Sequence, residues 1–192
     1  MLRSRCLGVL LVFLACGTPV VARGDDARAI ALVDQTGAAF RISDLRGRPA
    51  LITFVATRCT DACPLANVAF EHLRARLRQD HVAARLVTVT LDPLYDTPFV
   101  MSQLARSLHA DPSDWVFASG APRNVWRLMK ALGVVASTGK SGVPDVHSTI
   151  VYLLDRQARL AKELLLSTDI AAQAERALGE RSIASGAAND GR

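Results

Sequence analysis

The chain has 192 residues, 50% of them apolar and 21% charged, with four cysteines and a formal charge of +5. That length and apolar content suit one domain with its own core, and exclude a disordered chain or a scaffold that needs disulfides to fold. The basic residues are scattered and not interleaved with aromatics, which argues against nucleic acid as a partner.

Residues 1–22 read as an export signal. Arg3 and Arg5 form a basic start, Leu7 to Leu14 a short apolar core, and Val20-Val21-Ala22 a cleavage site. The apolar run is shorter than the about 20 residues a membrane-spanning helix needs. A second reading ends at Leu14-Ala15-Cys16-Gly17, which is similar to a bacterial lipoprotein signal and would anchor the chain to the membrane through lipid on Cys16. Phe13 fits that pattern poorly, so simple cleavage ranks first. Either way the domain that follows is expected outside the cytoplasm, in a periplasmic setting. Without the leader 21 basic residues face 18 acidic ones, a balance of +3, and the remaining cysteines are Cys59 and Cys63. One close pair in an exported domain is no disulfide framework, so the pair reads as functional.

A single domain is expected over 25–182, with 183–192 as a flexible tail. Ile30 to Val33 and Ala39 to Ile42 flank the turn signature Asp34-Gln35-Thr36-Gly37 and read as a hairpin. Ala50 to Ala56 is a continuous apolar run of strand length, as expected for a strand covered on both faces. It feeds directly into Thr57-Arg58-Cys59-Thr60-Asp61-Ala62-Cys63-Pro64. A helix is expected from Pro64, with Leu65, Val68, Ala69, Leu73 and Leu77 at helical spacing and Arg74, Arg76 and Arg78 on the far, solvated side. Cys63 would then sit at or near the N-cap, where outward N–H groups favour thiolate over thiol.

Arg85 to Leu91 is the next strand, ending in Asp92-Pro93. Asp96 would cap a helix running to about His109. Trp115 to Ala118 is a short strand, and a helix follows with Pro122 near its start and Gly133 as its stop. Val134 to Val146 has no clear period and reads as a loop. Thr149 to Leu154 and Leu160 to Leu166 form a hairpin, and Ser167 or Thr168 caps a last helix ending near Gly179. Parallel crossovers early and a hairpin late define an α/β fold: a central mixed sheet flanked by helices, the layout of a thioredoxin-like domain with an N-terminal hairpin and insertions. His72, His81 and His109 fall at positions that read as structural.

Four blocks, in order, resemble the Sco/SenC family of exported copper proteins: Phe54 to Pro64, Val89 to Pro98, Trp115 to Gly133, and Asp145-Val146-His147-Ser148-Thr149-Ile150-Val151-Tyr152-Leu153. The likeness runs over roughly Ile30 to Leu178. It implies that Cys59, Cys63 and His147 bind copper, and that the protein delivers it to the binuclear copper centre of cytochrome c oxidase, whose copper-bearing subunit, or another periplasmic copper protein, is the partner. Two thiolates and an imidazole suit Cu(I) and tolerate Cu(II), and zinc would want a fourth ligand that the sequence does not supply. Two positions depart from the family pattern: Thr60 stands where proline is common, and Val146 where aspartate is common.

Other readings remain. The spacing of Cys59 and Cys63 also permits a disulfide. The chain could therefore be a thiol–disulfide oxidoreductase in which Cys59 attacks partner cysteines and Cys63 resolves. A copper or redox sensor is a third reading, and a plain structural disulfide the simplest. A peroxidase of the peroxiredoxin type fits less well, since Thr57-Arg58-Cys59 lacks the usual Thr-x-x-Cys spacing. The chain is expected to be a monomer, and a metallochaperone rather than a turnover enzyme.

Overall fold

The computed structural model describes residues 25–60, 62–138, 144–145 and 150–187. The leader, with Cys6 and Cys16, lies outside them, as do Asp61, Val146 and His147. The elements are α1 (Asp25–Arg28), β1 (Ala31–Val33), β2 (Ala39–Arg41), β3 (Ala50–Val55), α2 (Ala62–Gln79), β4 (Arg85–Thr90), α3 (Pro98–Ser107), β5 (Trp115–Ala118), α4 (Pro122–Leu132), β6 (Ser137–Thr138), β7 (Pro144–Asp145), β8 (Ile150–Leu154), β9 (Leu160–Leu165) and α5 (Ile170–Ala187).

Five strands make the main sheet, in the order β5-β4-β3-β8-β9. β3 runs parallel to β4 and antiparallel to β8, and β4 runs parallel to β5. All six residues of β3 are buried, which explains why its sequence is apolar without alternation. α2 and α5 pack against each other, while α1 packs on α4 and α3 on β5. The aromatic centre of the core is Phe70, Trp115 and Phe117, all fully buried, with the Trp115 indole N–H donating to Thr88 Oγ1 at 3.0 Å.

The hairpin β1-β2 stands apart from the main sheet but guards its edge. Val33 and Ser119 exchange backbone hydrogen bonds of 2.8 and 2.9 Å. Gln35 takes the place of a neighbouring strand: its amide donates to Trp115 O and accepts from Phe117 N–H, at 2.8 and 2.9 Å. The edge strand β5 thus keeps few backbone groups open to a foreign chain.

Several elements differ in detail from expectation. The segment taken as a loop contains the short paired strands β6 and β7. α5 continues through Gly179 as far as Ala187, because one glycine weakens a helix without ending it. Helix α4 does stop where Gly133 adopts φ +75°, a left-handed cap that a glycine takes without steric cost. In α2 the buried stripe is Cys63, Ala66, Phe70, Leu73 and Leu77, whereas Leu65 and Val68 are exposed. Both candidate stripes have helical spacing, and the one carrying Phe70 faces the sheet.

The arginines of α2 are not a free solvated face. Arg74 and Arg78 both hold Asp114, and Arg76 reaches Glu175 on α5 and Asp80. These contacts tie the far half of α2 to the start of β5 and to α5. Trp126 is half exposed, and His72, His81 and His109 lie at the surface.

Phe70→Ala would open a void beside Trp115 at a site with no exposure. The expected loss is about 3–5 kcal/mol of folding stability, read by urea denaturation. A loss under about 1 kcal/mol would contradict the packing described.

Candidate functional site

β3 and β4 are parallel and end at the same edge of the sheet, the edge where open α/β folds place ligands. The chain leaves β3 at Ala56 and turns at once: Cys59 N–H donates to Ala56 O at 3.1 Å, closing a tight turn over Thr57 and Arg58. α2 then begins at Ala62, two residues before the expected start, so Cys63 lies in its first turn, near the N-cap as expected. Pro64 is also in that first turn, where a missing N–H leaves no intrahelical bond unmade.

Ala56 is the anchor for both sulfurs. Its carbonyl fixes Cys59 through the turn, and its N–H donates to Cys63 Sγ at 3.3 Å. Both thiols are reduced and not joined as a disulfide, and Cys59 lies near enough to Cys63 to disfavour its ionisation. They differ in environment. Cys63 is buried at 4% exposure, while Cys59 is partly open to solvent.

The expectation of a thiolate at Cys63 is overturned. Burial pushes its thiol up from 9.0 to about 12, against the opposing pull of the Ala56 N–H, and neighbouring Cys59 and Asp96 push the same way. The side chain points into the core rather than out along the helix axis, so desolvation outweighs the helix N-terminus.

The loop after β4 supplies the rest of the site. Asp96, expected as a helix cap, is fully buried, and Thr97 caps α3 instead, its hydroxyl accepting from Val100 N–H. The Asp96 carboxylate accepts from Thr57 N–H at 3.0 Å, from the Thr57 hydroxyl and from the Thr90 hydroxyl at 2.8 Å. Asp92 is also buried and accepts from Arg58 Nε at 3.2 Å and from Nη2. The guanidinium carbon of Arg58 lies 4.5 Å from the centre of the Tyr95 ring. The Asp92 carboxylate raises the pKa of Arg58 further, through its hydrogen bond and then its charge.

The local sequence suggests a helix cap for Asp96 and no more than a strand end for Asp92. Thr57 and Arg58, the partners that tie these carboxylates to the cysteine turn, lie more than thirty positions away in sequence. Among the described residues no third Cys, His, Asp or Glu joins the two sulfurs in a metal-holding cluster. His147 lies outside the described residues, so the structure brings together two of the three expected ligands. Ile150, where β8 begins, extends the antiparallel register toward the edge where β3 ends.

A reduced cysteine pair on the turn from central strand to helix, one sulfur buried and one open, defines a thioredoxin-like thiol protein. The family model SCO1/SenC matches residues 25–179, and the chain belongs to that family. A SCO2-like protein of Rickettsia prowazekii is 29% identical over 147 residues, covering 74% of this chain and 69% of its own. The copper-bound structure of ScoI from Bradyrhizobium japonicum is 28% identical with a TM-score of 0.65, covering 77% of this chain and 96% of that one. Copper-bound ScoI of Arabidopsis thaliana shares the fold, with a TM-score of 0.70 at 18% identity over 80% of this chain and 96% of that one.

Iodoacetamide at pH 8 is expected to label Cys59 roughly tenfold or more faster than Cys63, because only a thiolate reacts and Cys63 is both buried and protonated. Peptide mass spectrometry after timed quenching reads the ratio. Equal rates would contradict the asymmetry of the pair.

Proposed function

We propose that this protein is an exported copper metallochaperone that binds Cu(I) through Cys59, Cys63 and His147 and passes it by ligand exchange to the copper-bearing subunit of cytochrome c oxidase or another periplasmic copper protein. The observation that carries this reading is that Cys59 and Cys63 are reduced thiols both anchored on the backbone of Ala56. Two adjacent sulfurs form a soft donor pair that selects monovalent copper. The copper bound by the Bradyrhizobium japonicum relative supports the same cargo here. His147 precedes Ile150 by three residues, so an extended chain keeps it within about 11 Å of the start of β8. Binding copper removes the thiol protons, so the proton held at Cys63 is released as the metal enters.

Delivery requires a partner to reach the site. Leu65 two residues after Cys63, Leu94 and Tyr95 on the β4 loop, and Phe99 in the first turn of α3 are exposed apolar side chains on the elements that flank the thiols. They support docking of a partner protein over the site. Export by the leader, with either cleavage or a lipid on Cys16, would place the domain in the periplasm. No helix of the described residues is long and apolar enough to cross a membrane.

The asymmetry of the pair favours a second reading, thiol–disulfide exchange on partner cysteines. Cys59, partly open to solvent, would attack, and buried Cys63 would resolve the mixed disulfide.

Anaerobic loading of the reduced chain with Cu(I) separates the two. Stoichiometric copper is expected in the parent and loss of most of it in Cys59→Ser, Cys63→Ser and His147→Ala, measured by metal analysis after desalting. His147→Ala should keep disulfide exchange with a dithiol reductant. Full copper retention in Cys59→Ser would end the metallochaperone reading, and an exchange rate that collapses with His147→Ala would end the division of roles.

A further inference from the structure

Thr57 and Arg58, the two central residues of the turn between Ala56 and Cys59, are each held by one carboxylate of the β4 loop. Asp96 takes the backbone and hydroxyl of Thr57, and Asp92 takes the guanidinium of Arg58. The two carboxylates are themselves locked in one loop: Tyr95 N–H and Asp96 N–H both donate to Asp92 O, at 3.0 and 2.7 Å. Ser119 Oγ donates to Asp96 O, and Asp92 N–H donates to Thr90 Oγ1 at 2.9 Å. Neither carboxylate is needed as a ligand or nucleophile in the chemistry above.

Of the two, Asp96 grips the turn more firmly. It is buried and accepts three hydrogen bonds, whereas Arg58 is about one-third exposed and its pair with Asp92 is open to screening by solvent. Asp96 is also close enough to Cys63 for its charge to act on that thiol. A turn fixed at Thr57 restricts where Cys59 can go, and the ease of closing a disulfide depends on how often one sulfur meets the other.

We propose that Asp96 is a positioning residue for the dithiol: through Thr57 it holds the turn that presents Cys59 to Cys63, and so sets how readily the pair closes to a disulfide. The inference rests on Cys59 and Cys63 being a working pair, as in the function proposed above. In closure by oxidised glutathione the two thiols give up two protons and two electrons and an S–S bond forms between Cys59 and Cys63. The S–S bond of glutathione disulfide breaks and yields two glutathione thiols. Asp96 enters none of these bonds.

The test equilibrates the full chain with mixtures of reduced and oxidised glutathione and reads the dithiol fraction by alkylation and mass. Thr57→Val removes only the hydroxyl donor to Asp96, and Thr57→Ser keeps it. Thr57→Val is expected to shift the equilibrium toward the dithiol by up to about tenfold, with the worth of one buried hydrogen bond as the ceiling, because a looser turn brings Cys59 to Cys63 less often. Thr57→Ser should stay within about twofold of the parent. Asp96→Asn should shift the same way, and if it fails to fold the threonine pair still decides. A folded Thr57→Val, with the parent's near-ultraviolet circular dichroism and an unchanged equilibrium, would overturn the proposal. So would a Thr57→Ser that shifts as far as Thr57→Val. Copper content measured on the same proteins keeps the two questions apart: Cys59→Ser that retains copper sinks the metal reading and leaves the glutathione result standing.

Discussion

The peptide unit of Ala56 is the point on which the site depends. Its carbonyl closes the turn that carries Cys59, and its N–H reaches the Cys63 sulfur in the first turn of α2. Ala56 directly follows β3, the middle strand of the sheet, whose residues are all buried, and is itself buried. A pair of sulfurs fixed to a buried base stays close whether or not anything is bound. That pre-organisation is what a soft metal or an exchanging disulfide requires, because little ordering remains to be done when either forms.

The two sulfurs are made unequal by depth rather than by charge. Cys63 belongs to the buried stripe of α2 and behaves as a core residue whose proton is hard to remove. Cys59 sits on the outer lip of the turn, beside an arginine neutralised by Asp92 and stacked on Tyr95. The half-exposed ring of Tyr95 therefore links the surface a partner would touch to the turn that carries the outer sulfur.

The fold follows from the same sheet. With β3 and β4 parallel, their carboxyl ends open onto one edge, and the β4 loop lies across the cysteine turn. The hairpin β1-β2 closes the other side of β5 and, through Ser119, is bonded to the strand end next to Asp96. Residues far apart in the chain thus brace one short turn.

Much of this was legible in the amino-acid sequence. The unbroken apolar run of Ala50 to Ala56, the cysteine spacing, the turn residues of both hairpins and the Gly133 stop are local signals, and local backbone preference is enough to read them. The order of these blocks also carried the family. The phase of α2 was not legible, because Leu65 and Phe70 both satisfy helical spacing and only the opposing sheet selects between them. Nor were the proton on Cys63 and the grip of Asp96 on Thr57. Both arise from burial and from contact between segments 39 positions apart, and such terms exist only once the strands have paired.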